Sequence, residues 1–581
     1  MFNKYYQDEL VYLRDMGRDF AASHPEAARF LAEAGSDPDV ERLLEGFAFL
    51  TARLRQKLDD ELPEITHAFT EMFWPHYLRP VPSATVLQFS HANPAMAELK
   101  PLARGIEVDS VPVDGTRCRF RTCYDTELMP LELATVELRR EIPPRLRLKF
   151  DCKAKPPLSM LGIKTLSLHL AGEPAVTRAL YAALLRHTRR ITVRRGDGTD
   201  KGNFELPPSA LRGVGFRENE ALLAGPGPSF PGFRLAQEYF CAPWKFMFVE
   251  LTGLEKLAGF EADRGFVLDI EFARLPEPMP PVSKANLLLN CTPAVNLFAH
   301  DSDPIRLDRA RSEYVLRAAG NDPRHYEVFN VDRVYGLELG SAKEVDYLPQ
   351  YRLARSGKRT DAYYQVRRFT SPVHDGMGAA ISFIDPENPE LRPRVDTVSV
   401  NMTCTNGQLP TRLDVGDVSV KTQTTPGYAA CRNIMKPTAS ILPPLDSDLH
   451  WRLIAHLNLN FTSLLSVEAL RGAISLYNLR ANIDRQSEAA HARLVEGIVA
   501  VKGKPATRLF GGSAVRGLEI ELSMNEELVG GEGETFLFAS VLNEFFAQYV
   551  SLNAFSHLKV KGTKFGEEFT WPARIGNRAI L

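Results

Sequence analysis

Prolines partition this chain before any other signal is read. WPHYLRPVPS (residues 74–83) carries Pro75, Pro80 and Pro82, and PEPMPPVS (residues 276–283) carries Pro276, Pro278, Pro280 and Pro281. A proline ring removes a backbone donor and clashes with the preceding turn, so no helix runs through either stretch. A third break, KPTASILPPLDSD (residues 436–448), holds Pro437, Pro443 and Pro444. The breaks fit 581 residues divided at the ~100–200 residues of a typical domain. The expected parts are a helical segment 1–80, a β-rich mixed domain 81–275, a β-rich domain 284–435 and a mixed α/β domain 436–581. The class is α+β, multidomain.

Periodicity fills in the parts. Leu10, Val11, Leu13, Met16 and Phe20 recur among charges at helical spacing. Short helices are expected to open at Pro25 and at Pro38, the latter behind Asp37 as N-cap with acids in its first turn. Beyond residue 83 strands dominate. TRCRFRTCYD (116–125) and RLRLKF (145–150) alternate basic and apolar residues, one face wet and one dry. FMFVELTG, FVLDIEFA, EYVLRA, YEVFNVDRVYGL, AAISFID and DTVSVNMTC also read as strands. In the last part, helices are expected at 448–465, 466–479, 484–496 and 535–550, with strands at GLEIELSM and FSHLKVKG.

Charge narrows the function. Seventy basic and 72 acidic residues give a net charge of −2, which leaves no general electrostatic footprint for nucleic acid or an anionic membrane. The strip Arg145, Arg147, Lys149 has two readings, a phosphate-binding row or a solvated sheet face, and the near-neutral total favours the second. Seven scattered cysteines make no disulfide scaffold and fit a reducing compartment. The charged N-terminus has no apolar signal core, and no stretch reaches the ~20 apolar residues of a membrane span. A cytoplasmic chain is expected.

Chemistry is sparse. Cys118 and Cys123 sit five apart in a strand pattern, so they point to opposite faces and cannot grip one ion. There is no HExxH and no CxxC. VGGEGETFLF (529–538) lacks the Lys-Ser/Thr of a phosphate loop, and its Glu532 and Glu534 repel phosphate; it reads as a turn into a helix. No cofactor is expected. A hydrolase whose site is assembled from distant residues stays open as the alternative, because catalytic triads are spatial rather than sequential.

The segment FAFLTARLRQKLDDELPEI (47–65) raises the sharpest question. Asp59, Asp60 and Glu61 stand ~100° apart on a helix, so they radiate and cannot converge on one atom, as acid–base catalysis requires. Pro63 interrupts the turn that brings Asp60 to Glu64. On the same wheel Val40, Leu43, Leu44, Phe47, Leu54, Leu58, Leu62 and Ile65 fall within roughly 100°, the width of a core-facing stripe. A charge at Leu43 or Phe47 is therefore expected to destabilise the fold. Across the helix Phe49 stands among Arg42, Gly46, Ala52 and Arg53. A large ring flanked by small residues on a polar face marks a second contact surface.

Long blocks then carry a family resemblance: FNKYYQDELVYLRDMGRDFAASHPEAA, DPDVERLLEGFAFLTARLRQKLDDELPEITHAFTEMFWPHYLRPVPS, CRFRTCYD, QEYFCAPWKFMFVEL, VNLFAHDSDPIRLD, YEVFNVDRVYG, TCTNGQLP, PPLDSDLHWRLIAHLNLNFTSL, GLEIEL, FLFASVLNEFFAQYVSLNAF and WPARIGNRAIL. End to end, the chain resembles the TssF (VasA/ImpG) family of type VI secretion baseplate subunits. The resemblance implies a likeness to the wedge protein of contractile phage tail baseplates. It implies a structural role without catalytic residues, in a wedge of two TssF copies and one TssG. It also implies TssE, TssK trimers and the VgrG spike hub as further partners. Such a baseplate docks on the inner-membrane complex from the cytoplasmic side and primes the Hcp tube and its contractile sheath.

Overall fold

A computed structural model describes residues 6–7, 9–16, 38–59, 67, 69–71, 74–93, 97–196, 202–223, 231–260, 264–307, 311, 313–320, 322–338, 344–350, 362–371, 376–384, 395–445, 453, 463–482, 485–547, 549–550 and 553–576. The chain forms two compact units, Met1–Met72 with Pro444–His456, and Phe73–Pro443 with Leu457–Leu581.

The N-terminal part of the first unit is helical where described. Residues 9–16 form one helix, and Pro38–Asp59 forms another that opens on its proline as expected. Proline at the first helical position gives up no bond, because that N–H has no partner inside the helix. The expected helix at Pro25 lies outside the described residues.

The second unit is built on sheets. A six-stranded antiparallel sheet runs in the order Val418–Lys421, Glu107–Val113, Thr116–Thr122, Cys291–Val295, Ala84–His91, Ala429–Asn433. Its strands come from both sides of the proline-rich stretch 276–283, so that stretch turns the chain without separating two sheets. Leu87, Phe89, Val108, Cys118, Phe120 and Val418 close one hydrophobic cluster over it. Cys123 belongs to a different cluster with Val86, Tyr124 and Phe248, as the opposite-face argument requires.

A five-stranded sheet follows the order Phe204–Leu206, Thr188–Arg195, Gly265–Phe272, Arg145–Cys152, Leu131–Arg139. Alternation in Arg145–Cys152 is strict: Leu146, Leu148 and Phe150 are fully buried, and Phe150 stacks on Phe266 at 4.9 Å. A four-stranded sheet centres on Phe248–Thr252 and Thr165–Leu170. An eight-stranded sheet includes Glu327–Glu338, Met377–Ile384 and Val395–Thr405.

The last sheet joins Ile498–Phe510, Ser513–Met524, Ala554–Gly562 and Glu568–Thr570. Gly511 and Gly512, with φ of 54° and 87°, make the two-residue turn between its first strands. Positive φ at both centres is what a twist-compatible hairpin turn demands, and glycine adopts it without steric cost. Ser513–Met524 pairs with Ala554–Gly562 in parallel, so the chain must cross over between them. Helix Glu532–Ala547 makes that crossing. It is apolar nearly all round, with Leu537, Phe538, Val541, Leu542, Phe545 and Phe546 buried. Such a helix belongs inside a core, and it packs on helices Pro174–Arg186 and Pro231–Cys241. Helices Val467–Ser475 and Arg485–Glu496 occupy two further expected places. The expected helix 448–465 lies mostly outside the described residues.

Candidate functional site: an exposed helix face and the polar fasteners of the β unit

Helix Pro38–Asp59 buries a different face from the one its pattern suggests. Ala48 and Ala52 have no exposed surface, whereas Leu43 is 74% exposed, Phe47 56% and Leu50 60%. The three exposed residues fall within about 60° of one another, roughly 150° around the helix from the two alanines. The expected core stripe is thus corrected at Leu43 and Phe47, and Leu44 is only half-buried. Val40, Leu54 and Leu58 lie in the helix with side chains outside the described residues, and Leu62 and Ile65 lie beyond them.

The physical reason is that a wheel gives angles between residues but not which angle faces inward. Alanines weigh little in a hydrophobic pattern, yet their size lets another backbone approach closely. Of the expected second surface, Arg42, Gly46, Phe49 and Arg53 are exposed, but Ala52 is buried and cannot meet a partner. The hydroxyl of Thr51 donates to the carbonyl of Phe47 at 2.8 Å, satisfied within the helix. Arg42 faces Asp39 at 3.8 Å in a pair so exposed that it adds little to stability. Asp60, Glu61, Pro63 and Glu64 lie outside the described residues.

In the β-rich unit, several buried charged side chains are committed to one another. Glu532 and Glu534 sit in the first turn of helix Glu532–Ala547, where the helix dipole favours them. Tyr239 Oη donates to Glu534 at 2.5 Å, and Arg178 Nε donates to the same carboxylate at 2.5 Å. Glu532 accepts from His187 Nε2 at 2.6 Å, from Arg274 at 3.1 Å and from Arg186. Glu567 holds the same two arginines. Burial raises the Glu532 carboxyl pKa, but His187, Arg186 and Arg274 outweigh it, and the net shift is downward. Gly533 lets this helix start press against helix Pro174–Arg186, since a Cβ there collides with the carbonyl of Arg178. The glycine of GGEGE, superficially a phosphate loop, is a packing device.

Two further clusters were not foreseen from the sequence. Lys245 and Glu238 pair with no exposure at all. Glu238 Oε1 also accepts from the backbone of Leu222 and Leu223 at 2.9 and 2.8 Å, and Lys245 donates to the Glu220 carbonyl at 3.2 Å. The signal lay in QEYFCAPWKFMFVEL, where Glu238 and the single lysine, Lys245, stand next to aromatic residues.

Asn296 ties the six-stranded sheet to the eight-stranded one. Its Oδ1 accepts from Thr405 Oγ1 at 2.8 Å and Asn406 N at 2.6 Å, while its Nδ2 donates to the Arg119 carbonyl at 2.8 Å.

The two arginines of the Arg145–Lys149 strip are bound to acids of the neighbouring strand. Arg147 binds Asp269 through two bonds of 2.8 and 3.1 Å, and Arg145 meets Glu271 at 3.0 Å, each pair at registered positions across the strands. The solvated-face reading accounts for it.

Among the described residues no three His, Cys, Asp or Glu side chains gather as a metal site, and no helix is long and apolar enough to cross a membrane. All seven cysteines are buried and unpaired, and burial holds the thiol of Cys118 up at about 12.

Comparison with known proteins agrees with this architecture. The family described as "Type VI secretion system, TssF" matches residues 1–578. "Type VI secretion system component TssF1" of Pseudomonas aeruginosa is 32% identical, spanning 100% of this chain and 99% of its own. A chain in the cryo-electron microscopy structure of the "type VI secretion system TssK-TssF-TssG baseplate subcomplex" superposes with a TM-score of 0.76 at 31% identity, covering 93% of this chain and 100% of that one. A chain of "the baseplate complex from the type VI secretion system" matches with a TM-score of 0.65 at 28% identity over 100% of both. The fold and these relatives define a structural component of a type VI secretion baseplate. The chain belongs to the TssF family.

Proposed function

We propose that this chain is a non-catalytic wedge subunit, that two copies join one TssG-type protein, and that helix Pro38–Asp59 is a contact in that assembly. The observation that carries the reading is the exposed apolar row Leu43, Phe47, Leu50, with Phe49 exposed on another face of the same helix. An apolar row this open, on a helix already burying Ala48 and Ala52 elsewhere, is characteristic of a surface covered by another chain. A structural neighbour that contains TssK and TssG beside TssF supports those two as partners. The wider reading adds TssE, a VgrG hub and the Hcp tube with its sheath, on the cytoplasmic side of the inner-membrane complex. The absence of catalysis is supported by the way the buried acids and bases neutralise each other. Glu238, Glu532 and Glu534 each face a cation within their own fold.

Co-expression with the TssG counterpart, followed by mass measurement, tests this. A 2:1 complex is expected. A stable product of any other ratio, or no product, overturns the stoichiometry or the partner respectively.

A further inference from the structure

Glu327 opens strand Glu327–Glu338 at the joint between the six- and eight-stranded sheets. Two polar ties flank it. On one side His325 Nδ1 meets Thr116 Oγ1, a residue of the six-stranded sheet, at 2.8 Å. On the other, Thr405, which pairs with Glu327 across the ladder, and the following Asn406 are bound to Asn296.

The glutamate itself is only 5% exposed. Its Oε1 accepts one long bond, 3.3 Å from Met377 N, and its Oε2 has no hydrogen-bond partner. Gly407, at φ +54°, is folded against the carboxyl so closely that a Cβ there would lie 3.0 Å from Glu327 Cδ. Among the described residues no cation pairs with this carboxyl, and the buried guanidinium of Arg79 lies over the Phe329 ring, 5.6 Å from its centroid. His325 is engaged with Thr116, and Tyr326 stacks on His300 at 5.3 Å. Arg368, on strand Ala362–Thr370, donates to the carbonyls of Val328 and Phe329 at 2.8 and 2.7 Å. Arg119 of the six-stranded sheet is bound to Asp109 and Glu107. Cys404, opposite Val328, is a buried neutral thiol. Strand Met377–Ile384 and the turn at Asn406–Gly407 bring no charged side chain to the site.

A buried carboxylate without a cation is unfavourable, whereas the neutral acid fits and can donate from the otherwise unsatisfied oxygen. We propose that Glu327 is a proton-operated latch: protonated, it closes the joint between the two sheets, and ionised, it forces the Gly407 turn to open to water. Burial pushes this carboxyl up to about 7 from an ordinary 4.5, with the Met377 N–H opposing. The sign follows. The folded state favours the protonated form, so the stabilisation is complete below 4.5 and is lost as the pH rises through about 7. With those two values, the opening equilibrium of the joint grows on the order of tenfold between about pH 6 and about pH 8.

Hydrogen exchange of the full chain, corrected for intrinsic rate, tests this on peptides covering residues 325–330, 376–380 and 404–408. Wild type is expected to show that roughly tenfold rise in opening, while Glu327→Gln shows none. Glu327→Leu removes the ionisable group without requiring an amide to fit the slot, and it must also lose the pH response. A wild-type chain with no rise, or a rise that persists in either variant, overturns the latch.

Discussion

The ammonium of Lys245 donates to the carboxylate of Glu238 where neither side chain has any exposed surface. Desolvation disfavours the charge on Lys245 and its pKa is lowered, with Glu238 acting in the opposite sense. Removing Lys245 leaves the buried Glu238 carboxylate with only the longer contact of Arg234 Nε, at 3.7 Å. Lys245→Met is expected to cost about 3–5 kcal/mol in denaturant unfolding. The double change Lys245→Met with Glu238→Gln should cost less than Lys245→Met alone, because the stranded carboxylate is gone. A double variant no more stable than Lys245→Met would show that Glu238 is held by the Leu222 and Leu223 amides instead.

The Glu532 cluster makes an acid-side prediction. Its carboxyl is held below an ordinary 4.5, burial being outweighed by His187, Arg186 and Arg274. A depressed carboxyl contributes stability above its unfolded value and loses it as the pH falls through the folded one. Glu532→Gln should therefore lower Tm at neutral pH, by an amount equivalent to roughly 2–4 kcal/mol, and the gap to wild type should close below about pH 4. Thermal melts across pH check it; a gap independent of pH would mean that packing, not charge, is lost.

On helix Pro38–Asp59 the two faces should respond oppositely. Phe47→Glu, at a position 56% exposed, is expected to change the stability of the isolated chain by no more than about 0.5 kcal/mol while reducing co-purification with the TssG counterpart. Ala48→Glu, at a position with no exposure, should cost roughly 3–5 kcal/mol by burying a charge. Pull-down yield and melting temperature, measured on the same preparations, separate the two effects. Full complex yield with Phe47→Glu sinks the assembly role of this face.

Gly533→Ala is expected to destabilise by about 1–3 kcal/mol, although alanine is the better helix former. The added methyl meets the Arg178 carbonyl rather than solvent. A stabilised Gly533→Ala variant would mean that the two helices are further apart than described.

The strands were legible because alternation is local: Arg145–Cys152 and Thr116–Thr122 turn their basic residues to the half-buried or exposed face and bury Leu146, Leu148, Phe150, Cys118 and Phe120 on the other. The family was legible because its blocks are long. The phase of helix Pro38–Asp59 was not, since the six large apolar residues of its expected stripe outvote two alanines in any hydrophobic pattern while the alanines take the buried side. The fasteners were not legible either. Asn296 meets Asn406, and Arg178 meets Glu534, across 110 and 356 residues, and no window along the sequence spans such separations.

The pairing of strand Ala84–His91 has a consequence during synthesis. Its edge partner is Ala429–Asn433, and Thr85 Oγ1 donates to the carbonyl of Met435, 350 residues downstream. The strand leaves the ribosome long before that partner exists. At ~5–20 residues per second the wait is tens of seconds, through which an apolar strand edge stays unpaired. A nascent chain of this topology is therefore exposed to mispairing for most of its translation. Its yield in a cell should depend on how well chaperones shield that edge.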